Sequence, residues 1–381
     1  MLISKEHLPE IEDKIQEIEA LLETKDDASF GGDSILPDQC DITTFGAALK
    51  VDGLVRRLNS GEILMPPLPR NYVWTLEQAS RFIESLLLGF PVPGIFLARE
   101  SDSGKLLVID GQQRLKTLQF FYAGYFNLQN DETEPQVFSL SMVQRQLNGK
   151  TYQTLQEIKK WHLDKTTIHA TIVKQDFPRY DDTTLCHIFE RLNSGGKHLT
   201  PQEIRATLYH GNLMDFIKKL NQLPNWRNLF GKPSVSLKDQ ELILRFLAFY
   251  FDDDEYAPPM KEFLNQFAHQ NRQLYDEFFA KAERAFSNAI DVIWQNVGAS
   301  AFRLKQKKLL NTAMFDSVMV GLARAMENPA FDHSQVKTAY DELLNDEAYM
   351  AAISNSTSSE SRVAIRIEKA TEKFKQASAA D

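Results

Sequence analysis

The chain has only two cysteines, Cys40 and Cys186, in 381 residues. They stand far apart and outside any CxxC spacing, which excludes a disulfide framework and a thiolate zinc site and fits free thiols in a reducing compartment. Long hydrophobic runs are missing as well. No stretch approaches the roughly 20 apolar residues that a membrane span needs, and the opening Met1-Leu-Ile-Ser-Lys-Glu-His-Leu8 lacks the apolar core of a secretory signal. The cytoplasm is therefore the expected location, with no membrane contact. Positive charge is in deficit too: 43 Lys and Arg against 52 Asp and Glu leave a formal charge of -9. Proteins that coat DNA through its phosphates usually show the opposite balance, so a nucleic-acid role here needs a partner or a concentrated basic site.

Several catalytic signatures are absent. There is no GxSxG, no HExxH and no Cys/His cluster for zinc, and no histidine sits in an H-N-H arrangement suited to metal-dependent DNA cleavage. Gly149-Lys150-Thr151 imitates the end of a phosphate loop. The earlier glycine that the pattern requires is Gln144, however, and no apolar strand precedes it.

What is present is an alternation of short elements. Leu8, Ile11, Ile15, Ile18 and Leu22 predict an amphipathic helix, packed on its own domain or pairing two copies into a homo-oligomer, and residues 24–40 read as a linker. Val51 to Leu58 predicts a helix that Gly61 can stop. A proline-dense stretch then ends at Trp74, and Thr75 with Gln78 has capping-box spacing for another helix. Ile95-Phe-Leu-Ala and Leu106-Leu-Val-Ile109 predict a hairpin, and Ile168, Ala170 and Ile172 alternate as a further strand. From Leu185 onward the pattern is helical, with Thr200-Pro-Gln-Glu203 opening a helix by cap, proline and glutamate. The expected fold class is α+β. Residues 1–40 form a helix and linker, 41–180 a small mixed domain, and 181–381 a helical domain.

The strongest chemical signal is Asp110-Gly111-Gln112-Gln113-Arg114, where strand periodicity gives way to helix periodicity. A helix start carries unsatisfied N–H groups and the positive end of the dipole, which favours phosphate. Gly111 admits a ligand close to the backbone, Gln112 and Gln113 offer amide donors, Arg114 offers a planar fork, and Asp110 can cap the helix or hold hydrated Mg²⁺. The plainer alternative makes Asp110 an N-cap and Gln113 its capping partner. A second block, Arg70-Asn-Tyr72-Val-Trp74, joins an arginine to two aromatics that could grip a phosphate and stack a base, or else serve as core anchors. In the third, Arg191-Leu-Asn193-Ser-Gly195-Gly196-Lys197, tandem glycines can form an anion nest beside Lys197, or a plain turn.

Taken together and in this order, Arg70-x-Tyr72-x-Trp74, Ile109-Asp-Gly-Gln-Gln-Arg-Leu115 and Phe189-x-Arg-Leu-Asn-Ser-Gly-Gly196 with Thr200-x-x-Glu203-x-Arg205 resemble the DGQQR family. That family is found in the GmrS half of GmrSD-type restriction systems. The resemblance spans roughly residues 40 to 320 and implies a ParB/sulfiredoxin-like fold whose DGQQR box occupies the phosphate-binding place. It implies NTP hydrolysis in modification-dependent restriction and related anti-phage defence. On it, Asp110, Gln112, Gln113 and Arg114 are the expected catalytic residues. Arg70, Tyr72, Trp74, Gly111, Arg114, Asn193, Gly195, Gly196 and Lys197 are the expected nucleotide ligands, and Asp110 is the expected contact for Mg²⁺. The family usually has a glutamine where this chain has Pro69, which removes a donor. With no HNH signature, the nuclease is expected to be a separate effector polypeptide. The other readings are a non-hydrolysing nucleotide-gated switch and a module sensing modified or phage DNA through Tyr72 and Trp74. A triphosphate needs several cationic donors, so Arg70, Arg114 and the loop around Lys197 are expected to face one cleft.

Overall fold

The structure is a computed structural model, and it describes residues 41–65, 72–100, 103–126, 136–177, 183–192, 199–273, 276–304 and 310–376. The chain divides into two compact units, one over Leu36–His198 and one containing Leu199–Asp381. The first is mixed and the second helical, so the class is α+β. The N-terminal amphipathic helix expected over residues 8–22 lies outside the described residues.

The mixed unit is built on a five-stranded sheet in the order β1 (Asp41–Lys50), β7 (Thr167–Phe177), β3 (Ile95–Arg99), β4 (Leu106–Asp110) and β2 (Ile63–Leu64). β1 runs antiparallel to β7, β7 parallel to β3, β3 antiparallel to β4, and β4 parallel to β2. Interior position is visible in the side chains. Ile168, Ala170 and Ile172 of β7 are buried while His169 between them is exposed, and Leu106 to Ile109 of β4 are buried without alternation. The predicted hairpin is the β3–β4 pair.

Four helices cover this sheet: α1 (Val51–Asn59), α2 (Leu76–Leu87), α3 (Gln112–Ala123) and α4 (Glu157–Lys165). Their apolar positions recur at helical spacing, and Leu54, Val55, Ile83, Leu86, Leu115, Leu118 and Phe121 join the strand residues in one core. The Thr75–Gln78 capping box forms as its spacing predicts, with both reciprocal bonds made. Gly149 and Lys150 close a turn, with Gly149 N–H donating to Leu140 O and Leu140 N–H donating to Lys150 O. This is no phosphate loop before a helix. Strands β5 (Tyr125–Phe126) and β6 (Gln136–Val137) form a small separate ladder, and α5 (Thr183–Leu192) ends the unit's described residues.

In the helical unit, the helices Lys238–Asp252, Thr312–Ala325 and Glu360–Gln376 carry most of the argument. The middle one is buried nearly all round, from Thr312 to Ala323, which marks a central helix rather than a surface one. It carries Asp316, completely buried, which accepts three hydrogen bonds from Arg245, two of them shared by Nε, and one from Arg366. No helix among the described residues is long and apolar enough to cross a membrane.

Candidate functional site

The DGQQR box sits at the expected strand-to-helix junction. Asp110 is the last residue of β4 and Gln112 the first of α3, and Gly111 between them is the N-cap. Gly111 has φ +104, a conformation that side chains rarely adopt. A Cβ at this position would also lie 2.5 Å from Cγ2 of the fully buried Ile95. Backbone conformation and packing therefore both demand glycine. Because the cap residue has no side chain, no side-chain oxygen caps the helix, and its first-turn N–H groups keep the unsatisfied character of a helix start. The reading of Asp110 as N-cap with Gln113 as its partner is thereby corrected: the αL glycine takes the cap position and pushes Asp110 back onto the strand.

Asp110 pairs with Arg114 instead. Arg114 Nη2 donates to Asp110 Oδ2 at 2.6 Å, with the arginine side chain 13% exposed and the carboxylate 53% exposed. Arg114 Nε comes within 3.4 Å of the place a Gly111 Cβ would occupy. The guanidinium thus lies folded across the helix start, its fork directed to an exposed carboxylate. One anion already occupies the position where a phosphate oxygen would pair.

Gln113 does something that its position in the motif did not reveal. Its Oε1 accepts from the backbone N–H of Val73 at 3.0 Å and of Trp74 at 3.4 Å. Two blocks forty positions apart in the chain are tied by one amide, so the carbonyl end of Gln113 is a structural clamp. Gln112, the first residue of the helix, is half-buried.

Tyr72 takes the core-anchor alternative. It is 4% exposed, its hydroxyl shares a 2.5 Å hydrogen bond with Thr117, and its ring packs edge-on with Phe120 and Phe126. Burial pushes the Tyr72 phenol up to about 12, against the lowering effect of the Thr117 bond. A neutral ring enclosed on these sides has no face for a nucleobase. Trp74 is half-buried and edge-on to Phe82 at 5.6 Å. Sequence reasoning that offered both rings to a ligand missed that Gln113 and Thr117 would fasten this segment down.

Arg70 and the loop residues Asn193, Gly195, Gly196 and Lys197 lie outside the described residues, and so does the expected common cleft. Arg191 is exposed at the end of α5. Glu203 is fully buried in the helical unit, where it completes the predicted capping box: Thr200 N–H donates to Glu203 Oε2 at 2.7 Å. Arg205 is buried against Asn265, Gln202 and Glu241. Both serve the packing of that unit. Among the described residues no group of three or more His, Cys, Asp or Glu could hold a metal ion. A resident all-protein metal cage is therefore no part of the described site, and Mg²⁺ would have to arrive largely on phosphate oxygens with Asp110 as a single carboxylate.

These features define a class: an α+β domain in which an interior strand of the sheet runs through an αL glycine into a helix bearing glutamine and arginine. Residues 51–210 match the N-terminal domain of the GmrSD restriction endonuclease, and this part of the chain belongs to that domain family. The match over this domain suggests a restriction-system component. It is also similar to an uncharacterized protein of Methanocaldococcus jannaschii, 32% identical over 23% of this chain and 19% of that protein. The chain thus spans about a fifth of the length of the curated relative it matches. No solved structure matches it.

Proposed function

We propose that the DGQQR box binds the phosphates of a nucleoside triphosphate, and that the protein is an NTP-hydrolysing subunit of a restriction-type defence system acting with a separate effector. The observation carrying this reading is the junction itself. An obligatory glycine opens an uncapped helix start, with Arg114 lying across it and an exchangeable carboxylate beside it. A polyphosphate carrying Mg²⁺ suits both halves of that pair, since phosphate oxygens offer Arg114 a fork partner and the cation offers Asp110 one. Binding would then exchange one ion pair, exposed on its carboxylate side, for two charge-assisted contacts. Mg²⁺, when bound, would neutralise charge developing on the transferred phosphoryl group, while Gln112 and the first-turn N–H groups orient that group.

A second reading, a nucleotide-gated switch without turnover, has a specific observation in its favour. Asp110 is engaged by Arg114, and Glu203 is engaged by its own helix cap, so neither stands ready as a base for water. Phosphate release measured with each of the four NTPs, alongside equilibrium binding, separates the two. Release that depends on Arg114 supports hydrolysis. Binding without release selects the switch, and neither binding nor release removes the phosphate site.

A further inference from the structure

The two edges of the sheet in the mixed unit are built differently. β2 ends it with two residues, Ile63–Leu64, whereas β1 ends it with ten, Asp41–Lys50. A long edge strand leaves a row of unpaired backbone groups to which another strand can add, and proteins usually blunt such edges with charge, proline, bulges or brevity. β1 has little of this protection. From Ile42 to Leu49 it carries no charged residue and no proline, and its register shift lies at the Asp41 end. Thr43, Thr44, Phe45, Gly46 and Ala48 are exposed, and among the described residues no second strand pairs with β1.

The ladder to β7 tells which backbone groups face outward. Val51 N–H donates to Thr166 O, which continues the register that sets Lys50 opposite Thr167. Odd-numbered residues of β1 therefore exchange their backbone bonds with β7, while Ile42, Thr44, Gly46, Ala48 and Lys50 turn N–H and C=O away from it. The side chains of Leu49, Ala47 and Phe45 stand opposite Ile168, Ala170 and Ile172, on the core face of the sheet. Ala47 and Leu49 pack against the core, but Phe45, next in that row, is 39% exposed. An exposed aromatic thus stands at the middle of an open strand.

We propose that β1 is the contact through which two copies of this chain pair, antiparallel about a two-fold axis at Phe45. Parity restricts the registers, because outward-facing residues must oppose outward-facing residues. Thr44 then pairs with Gly46 of the second copy, and Ile42 with Ala48. Between them Phe45 meets its own equivalent in a non-hydrogen-bonded position, where side chains approach most closely and aromatic pairs stabilise a sheet. The neighbouring allowed register centres on Gly46 and sets Phe45 against Ala47, which forfeits the aromatic pair. The antiparallel sense brings the Asp41 end of each strand beside the Lys50 end of the other, whereas parallel copies would bring like charges together. Such an interface is isologous and closes on itself. The joined sheet ends on the two-residue β2 at both sides, too short a template for further strands.

The test is sedimentation of the full chain over a range of concentrations, together with residue-resolved amide exchange. The parent should sediment as a dimer of its 43.6 kDa chain. The Thr44 and Gly46 amides should exchange slowly in that dimer and fast after dilution to the monomer. Phe45→Lys and Phe45→Glu should each sediment as monomers, because like charges then stand directly opposite each other. An equimolar mixture of the two variants should sediment as a dimer again, which also shows that both fold. A parent that stays monomeric overturns the proposal. Variants that dimerise alone do so too, by placing the interface elsewhere, such as on the amphipathic helix expected over residues 8–22. Slow exchange at Thr44 and Gly46 that persists in the monomer would assign the edge to a segment of the same chain. A mixture that stays monomeric while both variants melt cooperatively would remove the two-fold register, and each of these results overturns the proposal equally.

Discussion

Two arginine–carboxylate contacts in this molecule use the same chemistry for opposite ends. At the DGQQR junction, Arg114 and Asp110 meet at 2.6 Å with the carboxylate half in water. In the helical unit, Asp316 meets Arg245 at 2.6 Å and Arg366 at 3.1 Å with all three side chains buried. An exposed pair contributes little to folding because solvent screens the attraction and long side chains lose freedom in making it. Such a pair can be exchanged for a ligand at low cost. A buried triad cannot be exchanged, since separating it would strand charges in a medium that solvates them poorly. Exposure thus distinguishes a pair open to exchange, as the proposed phosphate site requires, from one that locks helices together. The triad is recruited from three helices, and its central carboxylate is 71 positions from Arg245 and 50 from Arg366.

The comparison breaks first at Asp316. Asp316→Ala should cost about 3–5 kcal/mol, because it leaves two buried guanidinium groups without their counter-charge. Chemical denaturation would show the loss, and a change under 1 kcal/mol would mean that the triad is not the lock described. Next in size is Gly111→Ala, expected to cost about 1–3 kcal/mol, since a left-handed residue would acquire a Cβ pressed against the buried Ile95. A melt indistinguishable from wild type would show that the junction can relax.

The buried network also sets a pH response. Burial alone would raise the pKa of Glu241, but Lys238, Arg205 and Arg245 outweigh it and hold the carboxyl at about 2, below its ordinary 4.5. A depressed folded value gives stability that is complete above the ordinary range and is lost as pH falls toward the folded value. The melting temperature should therefore decline as pH drops from 4.5 toward 2, and Glu241→Gln should flatten that decline. Equal slopes in parent and variant would remove Glu241 from the account. Smallest of all is Asp110→Ala, expected to change stability by less than about 1 kcal/mol because its pair is half in water. Any effect on turnover would then belong to function and not to folding.

Much of the mixed unit was legible in residue patterns because its signals are local. The β3–β4 hairpin, the alternation in β7, the Thr75 capping box and the glycine-marked junction all follow from neighbours a few positions apart, as does the Thr200 capping box in the helical unit. What escaped depended on distance. β1 contains Thr43, Thr44, Gly46, Ala47 and Ala48, a weak strand composition, and is held by a ten-residue ladder to β7 far along the chain. Gln113 looked like a ligand donor because its partners, the N–H groups of Val73 and Trp74, are brought to it only by folding. The motif marked where chemistry can occur, but not which of its polar groups were already engaged.

The central claim, that the DGQQR junction is a phosphate site, is tested most directly by nucleotide titration of the full chain and of Arg114→Ala in the presence of Mg²⁺. A charged donor to phosphate contributes roughly 1.5–3 kcal/mol, and the partner that Arg114 gives up, Asp110, is 53% exposed. The account therefore predicts an affinity loss of about 10- to 100-fold in a variant that stays folded, its melting temperature lowered only by the lost packing of the arginine stem. An Arg114→Ala protein that stays folded and binds nucleotide as well as the parent would contradict it.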